Sequence, residues 1–175
     1  HLITAQSVLE IRNLSKIIFI PAYASPLKVD FLSASSEDRA NMVEIAIKDN
    51  NSFEFSMYEI ENQKVSYTIE TLKHFKKIYD KLELIIGYDN FLVFDKWKSS
   101  DQILQLANVV VLNRKVDSSD IQNIDSRFIF VDNPLVEINS TEIRGRVKRN
   151  MNFEFLVPPK VKDYIIQRKL YTGGK

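Results

Sequence analysis

The string Ile138-Asn139-Ser140-Thr141-Glu142-Ile143-Arg144 puts two hydroxyls where a helix begins and a cation one turn later. The hydroxyls of Ser140 and Thr141 and the first-turn N–H groups can converge on one anion, which the helix dipole also favours. Arg144 stands three residues beyond Thr141, on the same helical face, and can cover that anion. This is phosphate-holding chemistry. The same string would arise from an ordinary N-cap at Asn139 or Ser140 followed by a solvated arginine.

Further strings follow apolar runs or open helices. Gly87-Tyr88-Asp89 comes directly after Leu84-Ile85-Ile86, so Gly87 can admit a ligand close to the backbone while Asp89 offers an acceptor for ribose hydroxyls. A plain turn with a helix-capping aspartate fits these residues equally well. Trp97 can stack on a flat heteroaromatic ring or fill a core. Ser66-Tyr67-Thr68 opens a helix whose first-turn N–H groups can take a carboxylate or phosphate, or else Ser66 is simply its cap. Arg114, after Val109 to Leu112, and Lys28, in Ala24-Ser25-Pro26-Leu27-Lys28, are cations that could meet a bound anion or stay solvated in loops.

Such residues need a scaffold that gathers loops. Four short apolar runs, Ile17 to Ile20, Leu84 to Ile86, Val109 to Leu112 and Phe128 to Val131, read as strands buried on both faces. Between them helical spacing runs from Leu2 to Leu14, from Glu37 to Lys48 with Met42, Ile45 and Ala46 on one side, and from Thr68 to Tyr79 with Ile69, Leu72, Phe75 and Ile78 aligned. Alternation of this kind predicts an α/β fold: a Rossmann-like parallel sheet with helices on both faces and ligands beyond the carboxyl ends of its strands.

Composition sets limits. The 175 residues carry 24 Lys+Arg against 23 Asp+Glu, a formal net charge of +1. One domain over residues 1–175 with a sizeable core is expected. No like-charge block suggests a nucleic-acid or membrane surface, so the expected partners are small molecules, with no nucleic acid and no membrane. Cysteine is absent and histidine occurs twice. That argues against a disulfide framework, a thiol nucleophile and a protein-borne metal site. Nothing resembles a signal peptide or membrane span, which points to a cytoplasmic enzyme or binding domain.

Taken in order, Ser66 to Thr68, Gly87 to Asp89, Trp97 and Ile138 to Arg144 resemble the bacterial nicotinate-nucleotide adenylyltransferases. The last string matches that family's Ile-Ser-Ser-Thr-x-Ile-Arg except that Asn139 replaces the first serine. The others match its Ser-Tyr-Thr, Gly-x-Asp and tryptophan, and the fit in order and spacing spans nearly the whole chain. The resemblance implies adenylyl transfer from ATP, with Mg²⁺ carried on its phosphates, to nicotinate mononucleotide. It implies Asn139, Ser140, Thr141 and Arg144 at the ATP phosphates, with Arg144 balancing the departing pyrophosphate. It also implies Trp97 on the pyridine ring, the Ser66 to Thr68 segment at the nicotinate carboxylate, and Gly87, Asp89, Arg114 and Lys28 around the rest of the acceptor.

Two departures qualify the resemblance. Where the family commonly has Pro-His-Lys this chain has Pro26-Leu27-Lys28, so only Lys28 carries over. The family begins with a strand, a glycine-rich loop and His-x-Gly-His, whereas this chain starts at His1, where the motif's last histidine would stand. His1, if native rather than tag-derived, is implied at the ATP α-phosphate as a catalytic group. With the first strand absent, the sheet is expected to have two unpaired edges and the chain to favour self-association, for which the segment Lys160 to Leu170 is a second candidate surface. Three other readings stay open: transfer to nicotinamide mononucleotide, transfer to phosphopantetheine, and a module that binds nucleotides without turnover.

Overall fold

Among the residues that the structure, a computed structural model, describes (1–26, 34–112, 125–134 and 136–172), every strand lies in a parallel ladder. In chain order the elements are α1 (Leu2–Ile11), β1 (Ile17–Phe19), α2 (Ser36–Ile47), β2 (Phe53–Phe55), α3 (Tyr58–Glu61), α4 (Thr68–Phe75), β3 (Glu83–Gly87), α5 (Tyr88–Phe91), a 3₁₀ turn (Phe94–Lys96), α6 (Ser100–Leu106), β4 (Asn108–Leu112), β5 (Phe128–Val131), α7 (Ser140–Lys148) and α8 (Pro159–Gln167). They group into two compact units, His1–Leu14 with Ser66–Leu135 and Ser15–Val65 with Val136–Lys175. No helix among the described residues is long and apolar enough to cross a membrane.

In the first unit the sheet order is β3-β4-β5, and successive residues feed opposite cores. Leu84, Ile86, Val109, Val111, Phe128 and Phe130 meet Ile69 and Leu72 of α4, Phe94 of the 3₁₀ turn and Ile103 of α6. Ile85, Val110, Leu112, Ile129 and Val131 meet Val8 of α1. Helices therefore cover both faces, as the sequence predicts. Val109, Val110 and Val111 are each 0% exposed, and full burial of such side chains stabilises by roughly 1.5 to 3 kcal/mol apiece. Arg12, just past α1, grips Glu83 at the start of β3 through two bonds of 3.1 and 2.7 Å, the forked pairing suited to a partly buried ion pair.

The second unit pairs β1 with β2, Ile17 opposite Phe53 through Phe19 opposite Phe55. Its core gathers Met42, Ile45 and Ala46 of α2 with Ile143 and Val147 of α7 around Phe153, Val161 and Ile165. The helical spacing predicted for α2 therefore has its partner. The sequence did not flag β2: it is three residues long with Glu54 in the middle, and Glu54 pairs with Lys16.

Helix ends depart from expectation. The pattern through Leu14 stops at Ile11 because Asn13 turns left-handed (φ 49°); its amide bonds Glu10 O and that of Leu14 bonds Leu9 O, a Schellman closure. The pattern through Tyr79 stops at Phe75, where Lys77 and Ile78 tighten to i−3 bonds and leave Ile78 58% exposed.

One buried charge fastens α8 to α2. Asp38, 8% exposed, accepts from Ser35 Oγ at 2.7 Å, Tyr164 Oη at 2.9 Å and Arg168 Nε at 3.3 Å. The Ser35 bond foremost, then those of Tyr164 and Arg168, hold its carboxyl below the usual carboxylate range against the opposing effect of burial. With the folded pKa below the unfolded one, the contribution is complete above about pH 4 and is lost as pH falls through the folded value. Asp38→Asn is expected to lower the unfolding free energy by about 2 kcal/mol near neutrality. In urea unfolding at a series of pH values, the variant should also lose less stability than the parent below about pH 4.

Candidate functional site

Helix α7 begins at Ser140 because Asn139, in extended conformation, caps it: its side-chain oxygen accepts the Glu142 amide at 2.8 Å, and its carbonyl accepts the Ile143 amide at 3.2 Å. The amides of Ser140 and Thr141 are left without an intrahelical acceptor. Sequence reasoning counted all first-turn amides toward an anion; the cap takes one of them. Both Ser140 and Thr141 are exposed. Arg144 Nη2 donates to Thr141 Oγ1 at 3.2 Å, so the guanidinium and that hydroxyl do share one helical face. Farther along, Arg146 pairs with Glu142 at 3.1 Å and so carries the acidic residue of the first turn on a different partner from Arg144. Two amides, two hydroxyls and a guanidinium at a positive dipole end are groups whose chemistry suits phosphate oxygens.

The remaining described candidates lie in the other unit. β3 ends at Gly87, which is also the N-cap of α5 and has no side-chain cap bond. Its φ of −73° is ordinary for any residue, and a Cβ there would meet nothing within 4 Å. Neither backbone nor the described neighbours demand glycine, and among the described residues nothing fills the space beside the strand end. Asp89 is exposed in the first turn of α5 rather than at its cap, and among the described residues its carboxylate has no hydrogen bond or ion pair. The capping alternative for Asp89 is thereby removed.

Helix α4 starts at Thr68 with Tyr67 as an extended N-cap that makes no side-chain bond. Ser66 therefore stands one residue too early to cap it, and the amides of Thr68 and Ile69 have no intrahelical acceptor. Tyr67, Tyr88 and Trp97 all pack against the aromatic and aliphatic cluster on this side of the sheet, which draws the segments at 66–68, 87–89 and 97 around one apolar base. Trp97 is tilted against Phe94 at 5.4 Å and is only half-buried. Among the described residues its indole N–H is buried without a partner, a state that costs about 1 to 3 kcal/mol.

Sequence reasoning missed Lys98. Its ammonium sits over the Tyr67 ring, 4.3 Å from the centroid, and 3.8 Å from Glu70, which puts a cation at the start of α4. The only hint was its place beside Trp97. His1 is the N-cap residue of α1 and makes no side-chain cap bond; α1 packs on the opposite face of the sheet from α4. Lys28 and Arg114 lie outside the described residues.

Known proteins are similar to this chain in sequence and in fold. The sequence pattern of the family described as cytidylyltransferase-like matches residues 1–146. Relatives in Caldicellulosiruptor saccharolyticus and Caldicellulosiruptor bescii, each called "Probable nicotinate-nucleotide adenylyltransferase", are 37% and 35% identical, and each match covers 98% of this chain and 91% of the relative. The Plasmodium falciparum nicotinic acid mononucleotide adenylyltransferase complexed with NaAD superposes with a TM-score of 0.72 at 19% identity, over 95% of this chain and 90% of that one; at that identity the likeness is one of fold.

The cap itself is testable without any ligand. Asn139→Ser keeps an acceptor for the Glu142 amide and should leave the thermal midpoint nearly unchanged, whereas Asn139→Ala should cost about 1 kcal/mol in chemical denaturation. Equal losses from both substitutions would show that the side chain does not cap α7 in solution.

Proposed function

The chain belongs to the cytidylyltransferase-like family, among the nicotinate-nucleotide adenylyltransferases, and from that membership we propose that it joins ATP to nicotinate mononucleotide. A phosphate oxygen of the mononucleotide attacks the α-phosphorus of ATP, the bond from that phosphorus to the β-phosphate bridging oxygen breaks, and pyrophosphate leaves with the bonding electrons. The products are nicotinate adenine dinucleotide and pyrophosphate, made for NAD biosynthesis. No covalent bond to the protein forms, so catalysis is positioning and charge stabilisation.

The observation that carries this reading is the start of α7. Ser140, Thr141 and their amides would hold the β- and γ-phosphates, and Arg144, already beside Thr141, would balance the charge gathering on the leaving pyrophosphate. Hydroxyls, amides and a guanidinium suit phosphate oxygens rather than a bare cation, so ATP is proposed to enter with Mg²⁺ held by its phosphates and water. His1 would meet the α-phosphate. On the acceptor, the amides at Thr68 and Ile69 would take the nicotinate carboxylate beside Lys98, Trp97 would stack on the pyridine ring, and Asp89 would take ribose hydroxyls next to the open space at Gly87. Lys28 and Arg114 are proposed as further contacts to acceptor anions.

The test is pyrophosphate release with ATP, Mg²⁺ and nicotinate mononucleotide. Turnover is expected with nicotinate mononucleotide and much less with nicotinamide mononucleotide, which lacks the carboxylate; equal rates with both, or release only with phosphopantetheine, would overturn the acceptor assignment. Binding of nicotinate mononucleotide without any pyrophosphate release would make the protein a binding module. Arg144→Gln should lower kcat by about a hundredfold or more, with its thermal midpoint close to the parent's. Gly87→Ala should fold as well as the parent, since its Cβ meets nothing, yet raise KM for the mononucleotide; an unchanged KM would show that no ligand approaches that strand end.

A further inference from the structure

Arg39, on the second turn of α2, is spent on backbone rather than on a carboxylate. Its Nη1 donates to Ala22 O at 2.6 Å and its Nη2 to Tyr23 O at 2.9 Å, two successive carbonyls shortly after β1. Among the described residues its Nε is buried without a partner and no carboxylate pairs with it. A guanidinium held this way is disfavoured for packing alone, because one buried donor, Nε, goes unsatisfied among the described residues. What it does achieve is geometric: a rigid fork fixes two adjacent peptide planes at once, which a lysine ammonium cannot do.

The clamped segment leads somewhere. The next residue, Ala24, forms an isolated parallel bridge with Val65, and Val65 is joined directly to Ser66, the start of the Ser66-Tyr67-Thr68 segment. A bridge of one residue pair does not sustain itself, so its geometry depends on whatever holds residues 22–24. The base of the clamp is firm, since the neighbouring Asp38 ties the first turn of α2 to Ser35, Tyr164 and Arg168.

We propose that Arg39 is a positioning residue for the acceptor nucleotide: through Ala22, Tyr23 and the Ala24–Val65 bridge it sets the backbone that enters Ser66 to Thr68. The inference rests on the proposed adenylyl transfer and adds to it a residue that touches neither substrate. Its signature is selective. Loosening the clamp degrades recognition of the nicotinate carboxylate and leaves the ATP phosphates at α7 unaffected.

Steady-state kinetics on the parent, Arg39→Lys and Arg39→Gln, with ATP and nicotinate mononucleotide each titrated and thermal unfolding recorded in parallel, test this. Arg39→Lys should raise KM for nicotinate mononucleotide about tenfold while KM for ATP and kcat stay within about twofold, and the preference for nicotinate over nicotinamide mononucleotide should shrink. Ala24→Gly, at an exposed residue, should change KM in the same direction by a smaller factor, and it decides the matter if the Arg39 variants do not fold. An unchanged KM for nicotinate mononucleotide in a folded variant, an equal rise in both KM values, or a fall in kcat alone that follows lost thermal stability would overturn the inference. Absence of turnover in the parent would overturn the proposed function and this inference with it, whereas parent turnover with an unaffected Arg39→Lys overturns this inference alone.

Discussion

Strand β4 has no solvent face. Val109 and Val111 serve one core and Val110 the other, and all three are fully buried, so a shift of one residue would exchange the cores and misplace every side chain on the strand. That constraint locks the register of β3 and β5 on either side: Ile86 opposite Val111, Val111 opposite Phe130. It also fixes where the strands end. Gly87 comes level with Leu112, and Leu112 with Val131, so the carboxyl ends of the three strands lie at one edge. Ligands in open parallel sheets collect beyond the carboxyl ends of the strands, where the loops lead into helix N-termini whose free amides favour anions.

The polar devices differ in kind between the two units. In the first, the described residues leave open space at Gly87 and a carboxylate at Asp89 without a partner, and these, with the first-turn amides of α4 and an aromatic base, suit a flat ring with polar edges. In the second, the start of α7 is concentrated positive potential with short hydroxyl side chains, suited to tetrahedral oxyanions. Other cations of the second unit are engaged elsewhere than at the start of α7: Arg146 is occupied by Glu142 and by Asn152 O, and Arg168 by Asp38.

How much of this could be read from sequence depended on whether the causes were local. The strands β1, β3, β4 and β5 were legible because apolar β-branched runs buried on both faces leave a dense mark, and α7 because its cap and its arginine are five residues apart in the chain. β2 was not, since its pairing with β1 outweighs a weak local preference. Nor was the role of Asp38, which reads as an ordinary acidic residue in a first turn until Tyr164, 126 positions downstream, closes over it. Arg39 escaped for the same reason: its partners are carbonyls, and a carbonyl leaves no trace in the residue type that carries it. Helix ends were blurred because the usual terminator is missing.

That missing terminator changes what unfolding means for this chain. Glycine occurs only four times in 175 residues, and the left-handed positions among the described residues, Asn13 and Asn150 and Lys169 among them, are all taken by residues with side chains. Each sits in a conformation that L-residues disfavour, so a small strain is stored in the native state. The denatured chain is correspondingly poor in the permissive joints that glycine would supply, and it has fewer backbone states to give up when it folds. Part of the balance that keeps the helices closed is thus set in the disordered ensemble, outside any contact that the folded molecule makes.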